Sequence, residues 1–200
     1  IKTENALSEL ASENFTPVLL RNATVYGYSP KLRLDLVVNN LVAHAIINGK
    51  IKLYSDGKAY RPIIHVDDLA RFFLHLVKAK KDLIHNRIFN VGSDDQNFSI
   101  IDIAKKIQKQ LPKLEIIFAK NANADKRNYK VNFGNLKKTF SNFKFKMDID
   151  KGIRELIEII FKNKITFKNF EESGKFVRIK RLKDLIKSRK VNDGLYWNRP

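Results

Sequence analysis

His65 with Asp67 and Asp68 is the first combination in this chain whose types and spacing could do chemistry, an imidazole base beside a carboxylate that orients it. No Ser or Cys nucleophile motif accompanies it. A strand ending at His65 and a helix opening on acidic residues explains both carboxylates without catalysis, because helix starts favour negative charge. The structural reading is the one expected. Tyr54 and Lys58 are one helical turn apart in sequence, but they straddle Asp56-Gly57, a strong turn signal. Across a turn the two side chains do not share a helical face. The four histidines (His44, His65, His75, His85) lie far apart and there is no cysteine, so no metal site, disulfide or thiolate nucleophile is expected. Nor do the eight glycines ever fall in a G-x-G-x-x-G spacing. No catalytic residue is assigned within these 200 residues.

The elements that would position any site follow from apolar periodicity. Ile1 to Phe15 has helical spacing, ended by Thr16-Pro17, and Val18-Leu19-Leu20 suits a buried strand. Leu34 to Gly49 reads as a helix closed by Asn48-Gly49. Ile51 to Arg61 reads as a hairpin around Asp56-Gly57. Pro62 to Val66 is a second buried strand, followed by a helix to about Lys80, and Arg87 to Val91 is a third. Ser99 to Asp102 resembles a capping box opening a helix that Pro112 terminates. Leu114 to Ala119 reads as a strand, Lys120 to Asn128 as a loop, and Ile149 to Phe161 and Phe176 to Lys190 as amphipathic helices. Strands alternating with helices make this an α/β protein with some parallel sheet.

Composition narrows the function classes. Residues 1–100 carry 13 basic and 10 acidic side chains, whereas residues 101–200 carry 26 and 11. That basic half raises the alternative of a module binding polyanions or an acidic membrane surface. Lys far outnumbers Arg, however, and phosphate or base readout favours the Arg fork. A solvated surface is the expected reading, with no specific nucleic-acid partner. No run approaches the ~18 apolar residues of a membrane span. The lack of cysteine fits a reducing, cytoplasmic setting.

Several stretches together resemble the extended short-chain dehydrogenase/reductase family, specifically its NAD-dependent nucleotide-sugar epimerases and dehydratases. They are LLRNATVYGYSP (Leu19 to Pro30), VVNNLVAHA, YRPIIHVDDLARFF (Tyr60 to Phe73), FNVGS (Phe89 to Ser93), DKRNYKV (Asp125 to Val131) and DKGIRELI (Asp150 to Ile157). The basic tail RIKRLKDLIKSRKVNDGLYW is like the C-terminal end of some bacterial members. In such enzymes a Tyr and a Lys one helical turn apart move the proton, often with a Glu four residues after the Lys. Ile1-Lys2-Thr3-Glu4 resembles the residues just past that Lys, and the only methionine is Met147. The expectation is therefore the substrate-side portion of a larger enzyme, inert by itself.

What the resemblance implies is a partial Rossmann-type sheet (its last strands) with the α/β substrate-binding lobe of this family. Residues 1–30 would end the dinucleotide-binding domain. Residues 31–162 would be mainly the substrate lobe, with strands near 62–66 and 87–92 returning to the sheet, and 163–200 a basic helical tail. Asn22, Ala23 and Thr24 would lie near the nicotinamide of NAD or NADP, with Thr24 also facing substrate; Thr24 and Tyr26 as ordinary loop residues is the competing reading. Asn40, with Asn39 and Leu41, would meet a nucleotide-diphosphate sugar at a helix start, or Asn40 is a routine helix cap. Arg61 and Arg127 match the family's diphosphate-binding arginines, a sensible pairing because each guanidinium can bond two oxygens; surface salt bridges are the alternative. Tyr54 would pack on the base or ribose, or else face the core. Arg33 and Asp35 match some relatives without a role. Sugar, nucleotide and oligomeric state stay open, a homodimer being compatible.

Overall fold

The computed structural model describes residues 1–119, 127–172 and 175–198; Lys120 to Lys126 of the expected 120–128 loop lie outside them. Short strands and amphipathic helices alternate: α1 (Lys2–Glu9), β1 (Val18–Asn22), β2 (Thr24–Tyr26), α2 (Val37–Asn48), β3 (Lys50–Leu53), β4 (Tyr60–His65), α3 (Val66–Val77) and α4 (Lys81–Ile84). They continue through β5 (Arg87–Val91), β6 (Asn97–Ser99), α5 (Ile100–Gln110), β7 (Glu115–Phe118), α6 (Gly134–Thr139), α7 (Ile149–Lys162) and α8 (Arg178–Lys187).

Pairing is mostly parallel. β1 runs parallel to β5 with Leu20 opposite Phe89, and β2 runs parallel to β4 with Thr24 opposite Ile63. β3 pairs with β7 in parallel, while β4 takes β6 antiparallel on its other edge, placing Arg61 opposite Phe98. This is an α/β protein with mainly parallel strand pairs, as the alternation implied.

Two apolar clusters hold these strands. In one, α7 turns Ile149, Ile153, Leu156 and Ile160 inward against Val38 and Val42 of α2 and Ile103 and Ile107 of α5. Those α7 positions recur at helical spacing, so a single stripe is buried. α2 buries residues around most of its circumference, as a central helix must, and Gly49 closes it in the left-handed conformation at φ 64°. In the second cluster, Leu69, Phe72 and Leu76 of α3 meet Phe89 and Val91 of β5 and Leu136 of α6. The Phe72, Phe89 and Phe143 rings all approach others edge-on or steeply inclined, the arrangement favoured by aromatic quadrupoles.

The helix starts follow their sequence signals. The Ser99 hydroxyl accepts from the Asp102 amide at 3.2 Å, as the capping box predicts. Asp148 caps α7, accepting from the Lys151 amide at 2.8 Å. That amide bond holds the Asp148 carboxyl below its ordinary value of 3.8, with Lys151's ammonium adding to the effect. A carboxyl depressed in the folded chain stabilises above its unfolded pKa and loses that contribution as pH falls through the folded value. Asp148→Ala is therefore expected to cost about 1 kcal/mol at neutral pH. The difference should shrink as pH falls below the ordinary value of 3.8, read from urea midpoints of both proteins on either side of it.

Several elements differ from the sequence reading. α1 stops at Glu9, not Thr16, because Ser12 and Phe15 exchange main-chain bonds in a tight turn. Ser12 and Asn14 in this stretch favour turns over helix. The Ile51 to Arg61 hairpin does not form. The turn exists, with Gly57 at φ 72° and the Lys58 amide bonded to Asp56 Oδ1 at 3.0 Å. The chain leaving it is captured by α5, whose Ile100 and Ile101 amides donate to Ala59 and Gly57 carbonyls. β3 and β4 thus join different sheets. Finally, β2 and α6, which the periodicity did not reveal, are too short to show a period.

Candidate functional site

Arg61 lies half-buried near the start of β4, between β2 and β6. Its Nη1 donates to the main-chain carbonyls of Tyr60 at 2.7 Å and Arg127 at 2.5 Å. The structure thus brings together two arginines 66 residues apart in sequence. Tyr129 adds a ring whose centroid stands 5.5 Å from the Arg61 guanidinium carbon, and the Lys130 ammonium sits 4.0 Å over the Tyr60 ring. Within a few residues the surface collects Arg61, Arg127 and Lys130 with Tyr60 and Tyr129, cations on planar rings. Such a face is suited to a multiply charged anion with an aromatic part.

The segment carrying Arg127 has no strand partner, so its main-chain groups must be satisfied otherwise. Asn and Asp side chains do this. Asn128 Oδ1 accepts from the Tyr60 amide at 3.0 Å. Asn97 bonds both main-chain groups of Val131, accepting from its amide at 2.9 Å and donating to its carbonyl at 3.1 Å. Asp94 accepts from the Phe133 amide at 2.9 Å, and Asn90 donates to the Asn132 carbonyl at 3.2 Å.

The remaining sequence-derived residues surround this strand system unevenly. Thr24 is half-buried on β2, one strand over from Arg61; Asn22 is exposed at the end of β1. Ala23 is buried with its amide spent on the Val91 carbonyl at 2.9 Å. Tyr54 ends the β3 segment 58% exposed, so it does not face the core, and Lys52 lies over its ring at 5.4 Å. Asn40 is not the cap of α2, a position held by Leu36; its side chain donates to the Leu34 carbonyl at 2.8 Å. Leu41 is packed into the core, leaving only main chain to offer a ligand. Arg33 forms a two-bond ion pair with Asp35 at 2.9 and 3.0 Å. Burial opposes ionisation of Asp35, but that pair outweighs it and lowers its pKa.

His65 and its acidic neighbours resolve as structure. His65 is fully buried; its Nδ1 accepts from the Asp67 amide at 3.3 Å, which leaves Nε2 to donate to Glu155 at 2.8 Å. It ties β4, α3 and α7 together. Asp68 goes further than a helix-start charge: it is 1% exposed and accepts from Arg71 and from the Lys146 and Met147 amides. The sequence reading missed Asn97, Asn128 and Tyr129, because side-chain-to-main-chain bonds across about 30 to 70 residues leave no local pattern. A concavity of about 780 Å³ lies elsewhere, walled by Phe133, Phe140, Phe143, Lys137 and Lys144. None of the sequence-derived site residues lines it.

Residues 2–92 match the NAD dependent epimerase/dehydratase family. Among curated proteins the chain is similar to UDP-glucuronic acid decarboxylase 4 of Arabidopsis thaliana, 30% identical over 112 residues that cover 54% of this chain and 24% of that protein. The alignment thus spans about a quarter of that relative's length. Among solved structures, UDP-glucose 4-epimerase from Thermotoga maritima, with UDP-glucose, superposes with a TM-score of 0.66 at 21% identity, covering 82% of this chain and 52% of that one. UDP-glucuronic acid 4-epimerase from Bacillus cereus, in complex with UDP-glucuronic acid and NAD, gives 0.60 at 22% identity over 75% and 46%. The parallel strand pairs and these superpositions define a Rossmann-type fold, and it is residues 2–92 that carry the likeness to the NAD dependent epimerase/dehydratase family. NAD is that family's cofactor.

Proposed function

We propose that this chain supplies the nucleotide-sugar-binding part of an NAD-dependent epimerase or dehydratase, with Arg61 and Arg127 holding the substrate's diphosphate. The observation that supports this is the contact of the Arg61 guanidinium with the Arg127 main chain, which brings the two residues side by side. Each guanidinium can bond two phosphate oxygens, and charge-assisted bonds are the strong ones. Tyr54, exposed beyond β3, is the residue offered to the base or ribose. Thr24 extends the face toward the end of β1. Residues 1–30 close the dinucleotide-binding part, 31–162 form mainly the substrate lobe, and 163–200 form the basic tail.

NAD, when bound, supplies the hydride acceptor of this family's chemistry. These residues fit it only as a wall. Asn22 and Thr24 present accessible groups beside buried Ala23, whose amide is already bonded. A glycine loop for its pyrophosphate is not among the 200 residues, and neither is the Tyr-Lys pair that moves the proton. The chain's own residues bind and orient.

Calorimetric titration with UDP tests the reading. Arg61→Ala is expected to weaken binding about 10- to 100-fold, and Arg127→Ala by a similar factor, since each removes a charge-assisted contact. The same titration with either variant matching the parent chain would sink it.

A further inference from the structure

The geometry points to Asn97 as a positioning residue that clasps the 131–133 segment to the sheet and so holds Arg127 and Tyr129 against Arg61. This rests on the diphosphate reading of the arginine pair and goes beyond it. Asn97 is at the first position of β6, directly opposite Pro62 of β4 in the register. Pro62 has no main-chain N–H to give to that edge. On its other side Asn97 acts as a surrogate strand residue. Its amide group bonds both main-chain groups of Val131, at 2.9 and 3.1 Å, reproducing the two-bond exchange of an antiparallel ladder with one side chain. Its Nδ2 also donates to the Asp94 carbonyl at 3.0 Å, a second bond that fixes the amide's rotamer. The Asp94 carboxylate in turn receives the Phe133 amide at 2.9 Å, so the 94–97 turn grips the segment at two points.

The consequence runs along the chain in the other direction. Two residues before Val131 is Tyr129, stacked near the Arg61 guanidinium, and four before it is Arg127, whose carbonyl Arg61 holds. Clamping Val131 limits how far residues 127–130 can swing. The position of the 127–130 main chain beside Arg61 is then set by an Asn outside that contact. Orientation of binding groups within a fraction of an ångström is what such supporting contacts provide. Only an amide does this: the donor and the acceptor are both used, so Asp or Ala removes at least one bond.

Two measurements on the 200-residue chain test the assignment. In hydrogen exchange, Asn97→Ala is expected to speed exchange across residues 129–133 about tenfold or more, with the melting temperature changed little. Unchanged exchange overturns the clasp. In UDP titration, Asn97→Ala should weaken binding by about the factor that Arg127→Ala does, and the double variant should lose no more than about twofold beyond either single one. Losses that multiply, or an Asn97→Ala chain binding like its parent, overturn the positioning role. If Asn97→Ala does not fold, Asn97→Asp, which keeps the acceptor for the Val131 amide, takes its place in the same cycle, and multiplying losses or parent-like binding overturn the role there too. A parent chain that ignores UDP, with Arg61→Ala also silent, defeats the arginine-pair reading and with it the positioning role, whereas binding that depends on Arg61 but not on Asn97 defeats this inference alone.

Discussion

Replacing Asp68 by Ala is expected to destabilise the chain by about 3–5 kcal/mol, the range for removing one partner of a buried charged network. The carboxylate is 1% exposed. It receives Arg71 Nη1 at 2.5 Å, the Lys146 amide at 2.9 Å and the Met147 amide at 2.8 Å. Arg71 also donates to the Lys144 carbonyl at 2.9 Å, so one carboxylate and one guanidinium hold the 144–147 segment against α3. Truncation leaves two main-chain amides and a half-buried cation without their acceptor. Each orphaned group costs about 1–3 kcal/mol, and more where charge is involved. Asp68→Asn keeps the shape and one acceptor oxygen and should lose about half as much. Urea unfolding of the three proteins reads the series. A change under about 1 kcal/mol in Asp68→Ala would show that the network is not a unit.

The second large effect belongs to Gly27. Its φ is 104°, a region side chains rarely adopt, and a Cβ there would clash with His65 Nε2. Both of its main-chain groups are committed as well: its amide donates to Asn39 Oδ1 at 2.9 Å and its carbonyl accepts from Asn39 Nδ2 at 3.1 Å. Asn39 Nδ2 further donates to the Arg33 carbonyl at 2.9 Å, which closes the 27–36 loop onto α2. Gly27→Ala therefore combines backbone strain of about 1–3 kcal/mol with overpacking of about 1–3 kcal/mol. The chain is expected to lose about 3–5 kcal/mol, or to fail to fold cooperatively if its margin is smaller. The contrast is Gly49→Ala. Gly49 also has positive φ, but a Cβ there meets nothing within 4 Å, so its cost is expected near ~1 kcal/mol. Equal losses at the two sites, read from urea unfolding, would mean that the His65 contact contributes nothing.

Much of this architecture was legible in the residues because local physics dictates it. The α7 stripe, the Ser99 cap and the Asn48-Gly49 helix end each follow from side chains within a few positions, and each is found where periodicity and capping place it. What failed was non-local. Asp56-Gly57 makes its turn, yet whether two flanking strands pair is decided by what else competes for their edges. Here β7 takes β3, while β2 and β6 take β4. The site divides the same way. Arg61 and Arg127 were singled out by resemblance, and the guanidinium of the first meets the carbonyl of the second. Asp67-Asp68 looked like a pair of helix-start charges, and both lie in the first turn of α3, but Asp68 is buried and does more. Asp68 reaches residues nearly 80 positions away, and Asn97 reaches 34. Contacts over such separations obey no period, so composition and spacing are silent about them.

The most direct measurement is a crystal structure of this chain grown with UDP. The diphosphate is expected within hydrogen-bonding reach of both the Arg61 and the Arg127 guanidinium groups, beside Tyr129. A diphosphate seated instead among the phenylalanines and lysines of the 780 Å³ cavity, with both arginines out of reach, would contradict the shared-diphosphate role of the two arginines.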